Sequence, residues 1–91
     1  MQVTDVRIRK ARHEGEGRLL ATASVVFDAM FVVHDVRVVR GTNGPFVAMP
    51  RRKRHDGEKR DVCHPITSEC REMIQRAVLE EWKRLKLTER E

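Results

Sequence analysis

Tyrosine is absent from the 91 residues, and the aromatic side chains are limited to Phe27, Phe31, Phe46 and Trp82. A surface that stacks successive bases of a single strand on aromatic rings is therefore not supported. Cysteine is limited to Cys63 and Cys70, too few for a disulfide-stapled secreted scaffold, and a reducing cytosol would keep both as thiols. No run approaches the ~20 consecutive apolar residues of a membrane span. The start, MQVTDVRIRK, alternates polar and apolar residues at once, unlike the apolar core of a signal peptide. The expectation is a cytoplasmic protein with no membrane partner. Amide side chains are restricted to Gln2, Asn43 and Gln75 while 36% of residues are charged, a balance that leans toward a thermophilic source. Internal repeats and low-complexity tracts are missing, as is any Gly-rich phosphate loop of the G-x-x-x-x-G-K kind.

What is present is a short chain with 40% hydrophobic residues, enough for one domain over 1–91 with one modest core. Its formal charge of +5 is unevenly distributed. Residues 51–60 read RRKRHDGEKR, six basic side chains against two acidic ones, so ten residues carry +4 and the other 81 carry 13 basic and 12 acidic groups. A nearly neutral domain with one basic segment is the starting point for any functional reading.

Residues 1–50 alternate β-rich runs with turn residues, the pattern of a meander of antiparallel hairpins. Residues 3–10 place Val6 and Ile8 on one face and Asp5, Arg7 and Arg9 on the other; Gly15-Glu16-Gly17 supplies a turn. Residues 19–27 are a second strand, Asp28-Ala29-Met30 a short connection, and residues 31–40 the strongest strand. Asn43-Gly44 favours a primed hairpin turn before a short strand at 46–49. After Pro50 the basic segment, with Asp56-Gly57 near its middle, reads as an exposed loop or β-arm over 51–60, with a short return strand over 60–64. A helix is expected over 67–85, capped by Thr67 or Ser68. Cys70, Met73, Ile74, Ala77, Val78, Trp82 and Leu85 recur at helical spacing, and residues 86–91 are expected to fray. The fold class is α+β: an antiparallel sheet of four to five strands followed by one C-terminal helix.

One helix covers one face of a sheet, yet residues 31–39, FVVHDVRVV, place apolar residues at both odd and even positions. Leu19, Leu20, Val25 and Val26 do the same. A second copy of the chain is the simplest cover for the other face or the strand edge, so a homodimer is expected with Phe31, Val33, Val36 and Val38 at the interface.

Enzyme chemistry finds little footing. His34 and Asp35 are neighbours on a strand and point to opposite faces, so they do not make the base and orienter of a triad. A polar pair at the core edge is the better account. Cys63, His64 and Cys70 offer three ligands in an unusual spacing, without the paired C-x-x-C of a structural zinc site, and Cys70 belongs to the apolar helix stripe. His55 or His64 as a nuclease acid or base is a weaker reading than a solvated surface histidine. The expectation is no catalytic activity, no metal, no cofactor and no small-molecule substrate. The basic segment fits better with a phosphate backbone: Arg51, Arg52, Lys53, Arg54, Lys59 and Arg60 would attract it through counterion release. Four of these six are arginine, whose fork binds phosphate bidentately or reaches the O6 and N7 edge of guanine. A protein-interaction module that docks an acidic partner of the division or transcription apparatus is the alternative.

Several strings together carry a resemblance. Phe46-Val47-Ala48-Met49-Pro50, the basic residues after it, Asp56-Gly57, Arg60-Asp61 and His64-Pro65-Ile66 closely resemble the central motif of the SpoVG (stage V sporulation protein G, septation protein) family. Val3-Thr4-Asp5-Val6-Arg7, residues 31–38, Asn43-Gly44, Ile74-Gln75 and Ala77-Val78-Leu79 extend it over roughly residues 1–85. The resemblance implies a small bacterial regulator that binds DNA, and in some members RNA. It also implies a β-rich homodimer with a C-terminal helix, without known catalytic activity, linked to septation, sporulation and gene-expression control. It places nucleic-acid contact at Arg51, Arg52, Lys53 and Arg54 and at Arg71 near the start of the helix. Two departures stand out: Arg51 replaces a small polar residue common in the family, and His55 replaces a proline before Asp-Gly, giving a more basic and less stiff arm.

Overall fold

Small or branched apolar residues at every second position commit residues 19–27 to a strand with one fully buried face. The computed structural model describes residues 1–10 and 18–89, and in it this segment is β2 (Leu19–Phe27). Antiparallel to it lie β1 (Val3–Lys10) and β3 (Phe31–Gly41), and β4 (Gly44–Ala48) pairs with β3, so the sheet order is β1-β2-β3-β4. A separate ribbon of β5 (Arg51–Lys53) and β6 (Lys59–Asp61) follows, and α1 (Ser68–Glu89) ends the described chain. The α+β class and the four-stranded meander are as expected; the ribbon raises the described strands to six. The turn expected at Gly15-Glu16-Gly17 lies outside the described residues.

The core lies between α1 and one face of the sheet. Ala21, Ala23, Val25 and Phe27 of β2 and Val36 and Val38 of β3 meet Ile74 and Val78 of α1. Val25, Val36, Val38 and Val78 are wholly buried, each worth about 1.5–3 kcal/mol relative to exposure. Val6 and Ile8 of β1, Val47 of β4, and Met73 and Trp82 of α1 close its margins.

The doubled parity of β3 has a local cause. Ala23 pairs with Val36 and Val25 with Val33, so two residues of β2 span three of β3, and His34 and Asp35 together oppose Ser24. Asp35 takes φ 62°. This is a β-bulge, and one extra residue inverts the side-chain alternation beyond it. Phe31 and Val33 before the bulge and Val36 and Val38 after it consequently share the helix-covered face. Val36 and Val38 were expected at an interface with a second copy, and this is corrected: both are spent on the chain's own core. Phe31 remains 65% exposed and Val33 is half-buried. On the opposite face the register leaves Val26, Val32, Val39 and Phe46, with Val32 and Phe46 each 42% exposed.

Two turns differ from the expected chemistry. Thr42 and Asn43 form the β3–β4 turn without positive φ, and Gly44 takes φ 114° just after it. The primed pair lies instead at Asp28 and Ala29, with φ 52° and 53°. That turn is tied to the start of the chain: Gln2 N–H donates to Asp28 Oδ1 at 2.8 Å, and Ala29 N–H donates to Thr4 Oγ1 at 2.8 Å. α1 starts at the expected cap, Thr67, whose Oγ1 accepts from Cys70 N–H at 3.1 Å. It runs past residue 85 because its last turns are braced from the side: Arg84 bonds the Glu81 carboxylate, and Lys86 Nζ sits 4.7 Å from the Trp82 ring centroid. The Arg84 hydrogen bond holds the half-buried Glu81 carboxyl below its ordinary range. That brace is therefore present at neutral pH and is lost as pH falls through the lowered value.

The bulge gives a direct test. Asp35→Val puts a β-branched residue at positive φ and is expected to destabilise the fold by about 1–2 kcal/mol, whereas Asp35→Gly leaves stability unchanged or higher. Urea denaturation of both variants measures the difference.

Candidate nucleic-acid interface

The basic segment folds back on itself because Asp56 and Gly57 close a tight turn. Gly57 N–H donates to the Arg54 carbonyl at 3.0 Å, Arg54 N–H donates to the Glu58 carbonyl at 2.8 Å, and Glu58 N–H donates to Asp56 Oδ1 at 3.0 Å. Gly57 takes φ 88°, the left-handed position that completes a three-residue hairpin loop. The ribbon is rooted where it leaves the domain: Val62 N–H donates to the Pro50 carbonyl at 2.8 Å.

Ribbon pairing puts Arg51 opposite Asp61, Arg52 opposite Arg60 and Lys53 opposite Lys59. Only the first of these three rungs joins opposite charges, with Arg51 Nε donating to Asp61 Oδ1 at 3.1 Å. Like charges directly across a ladder repel, so the other two rungs concentrate positive potential at a cost to the ribbon itself. Pleating divides the cations between two faces. Arg52 and Arg60 share one; Arg51, Lys53, Lys59 and Asp61 share the other. Arg54 sits at the turn. All residues of 51–60 are exposed, and Arg60 makes only a loose 3.9 Å approach to Glu58.

Six of the seven expected contact residues are thus on one ribbon. Arg71 is separate but close to its root: it is exposed on α1, and it lines an open cleft of about 220 Å³ together with Arg51, Asp61 and His64. Arg37 was not anticipated. It is half-buried on the uncovered side of β3, and its Nη2 donates to the Met49 carbonyl at 3.1 Å. That bond fixes the chain one residue before Pro50 and so aims the ribbon. Its sequence signal was an arginine interrupting the apolar run between Val36 and Val38.

A second polar contact was also missed. Ser24 Oγ and His34 Nδ1 lie 2.8 Å apart on the uncovered face, brought together by the bulge. Among the described residues no carboxylate hydrogen-bonds the other ring nitrogen, so this is a cross-strand contact without the orienting group of a catalytic triad. Cys63 and Cys70 are half-buried free thiols. Among the described residues no three His, Cys, Asp or Glu side chains gather as a metal site, and no described helix is long and apolar enough to cross a membrane.

The family model described as SpoVG matches residues 1–84. A Clostridium perfringens protein named "Putative septation protein SpoVG" is 52% identical over 86 residues, covering 94% of this chain and 93% of that protein. A protein of the same name from Caldicellulosiruptor saccharolyticus is 54% identical over 83 residues, covering 91% and 92%. Another, from Clostridium kluyveri, is 52% identical over 86 residues, covering 94% and 88%.

Since the ribbon gives no residue to the core, its order and the domain's stability separate. Gly57→Val strains the loop by about 1–2 kcal/mol. It is expected to abolish hydrogen-exchange protection of the Arg54 amide while leaving the thermal midpoint nearly unchanged.

Proposed function

The chain belongs to the SpoVG family, and from that premise we propose that it is a non-enzymatic, homodimeric nucleic-acid-binding regulator. Its ligand is DNA, with RNA a second ligand, and its setting is the cytoplasm and the control of septation, sporulation and gene expression. The observation that carries the proposal is the ribbon: Arg51, Arg52, Lys53, Arg54, Lys59 and Arg60 are gathered on one exposed two-stranded element whose like-charged rungs favour an anion between or beside them. Arg71, across the cleft at the ribbon's root, adds a contact that orients the bound strand.

The homodimer rests on a patch that a lone chain leaves in water. Met30 is 88% exposed, Phe31 65% and Val62 64%. Val32 on the uncovered face, Phe31 at the end of β3 and Val62 line a broad groove between the sheet and the ribbon. Pairing of two copies through the tip of β3 would bury this surface and double the number of ribbons. Phe31→Glu is expected to convert a dimer to a monomer in light scattering; a monomeric wild-type protein would remove this part of the proposal.

The same apolar groove beside cations also favours the rival reading, a module that docks an acidic protein of the division or transcription apparatus. Salt dependence separates the two. If about six phosphates are contacted, affinity for duplex falls roughly a thousandfold from about 50 to 200 mM salt. Replacement of Arg51, Arg52, Lys53 and Arg54 by Gln then removes binding. Fluorescence anisotropy with labelled duplex reads both, and a flat salt response would favour the rival.

A further inference from the structure

The ribbon's two faces are chemically different, and the difference bears on which nucleic acid it takes and how. One face carries Arg51, Lys53 and Lys59 with Asp61, and its arginine is already engaged at 3.1 Å by that carboxylate. The other presents Arg52 and Arg60 directly across from each other, with only the 3.9 Å approach of Glu58 beside them. Arg52, Arg54 and Arg60 line one broad open concavity, with Lys53 and Asp61 at its margin.

We infer that β5 and β6 enter the major groove of B-form DNA as a two-stranded ribbon, with Arg52 and Arg60 reading guanine edges and the lysine-bearing face turned toward the protein's own sheet. This rests on the nucleic-acid reading above and specifies it. Three observations support it. Paired strands lie about 4.8 Å apart, and a major groove about 12 Å wide admits such a ribbon. Directly opposed arginines present two planar forks side by side, suited to the O6 and N7 acceptors of guanine. The ribbon also forms a sheet of its own, rooted by the Pro50–Val62 bond and the Arg51–Asp61 pair, and its Arg52 and Arg60 face is the one turned away from the lysine-lined groove beside the main sheet. Arg51 is accordingly a positioning residue. The groove of double-stranded RNA is deep and narrow and closed to side chains of this kind, so the geometry selects DNA among duplexes.

The test uses the full chain and a DNA duplex pool with a random core, from which the protein selects its preferred sequence. Dimethyl sulfate, which methylates guanine N7 in the major groove, then probes the complex. Protection of guanine N7 is expected in the selected duplex, together with weak binding to double-stranded RNA of the same sequence. The double variant Arg52→Lys, Arg60→Lys keeps the charge and removes the forks. It is expected to lose about ten- to hundredfold in the ratio of affinities for the selected duplex over the unselected pool, with N7 protection gone. Binding without N7 protection, equal binding of double-stranded RNA, or an undiminished preference in the lysine variant would each overturn the major-groove assignment while leaving nucleic-acid binding intact. Absence of any binding to the pool would overturn both.

Discussion

One helix can cover one face of one sheet, and most of this molecule follows from that constraint. The apolar residues of β3 had to be brought to a single side, and the bulge at His34 and Asp35 does so by adding one residue opposite Ser24. Without it, Val36 and Val38 would turn away from Ile74 and Val78 and the core would lose two of its wholly buried side chains. The positive φ at Asp35 is the local cost, and an aspartate is among the residues that bear it most easily. The same local change brings His34 within hydrogen-bonding distance of Ser24 and leaves Arg37 on the uncovered side, where it holds the Met49 carbonyl. A packing device in β3 therefore also sets the direction in which the chain leaves β4.

That exit separates the core from the charge. The sheet and α1 contain every buried residue described, and the ribbon contains none. Two like-charged rungs in three would be a serious defect in a core strand, yet on the ribbon their cost is confined to an element whose loosening leaves the core intact. Charge can accumulate where packing does not depend on it. The neutral balance of the other residues fits the same division, since the domain has no need to carry the long-range positive field itself.

Much of this was legible in the residues. Period-two patterning placed the four meander strands, helical spacing placed α1, and the Asp56-Gly57 pair inside a basic run pointed to an arm that turns back. The bulge was not legible, because apolar residues at both parities are written identically by a strand with two buried faces and by a strand that changes parity midway. The first interpretation led to a homodimer through Phe31, Val33, Val36 and Val38; the structure assigns Val36 and Val38 to the chain's own core and leaves Met30, Phe31 and Val32 among the exposed apolar residues. The extension of α1 was hidden for another reason. Its later turns carry contacts of Glu81 with Arg84 and of Lys86 with Trp82, and the three charged partners lie outside the apolar stripe that periodicity reads. Arg37 was obscured because an arginine in a strand reads as a solvated position unless the carbonyl it reaches is known.

The choice of cation along the ribbon then acquires a physical meaning. A solvated charge run has no reason to place arginine and lysine on particular faces, since either keeps the loop in water. In the folded ribbon, pairing sets Arg52 against Arg60 and Lys53 against Lys59, so each rung carries one kind of cation. Like-charge repulsion across a rung is relieved most effectively by an anion or acceptor pair that both members reach together, and two guanidinium forks and two ammonium groups differ in what they can share. Segregation by rung thus turns a run of net charge into two neighbouring rungs with separate chemical demands. The feature that first set this chain apart was the amount of charge in ten residues; its arrangement on the two sides of a ribbon is what can distinguish one polyanion from another.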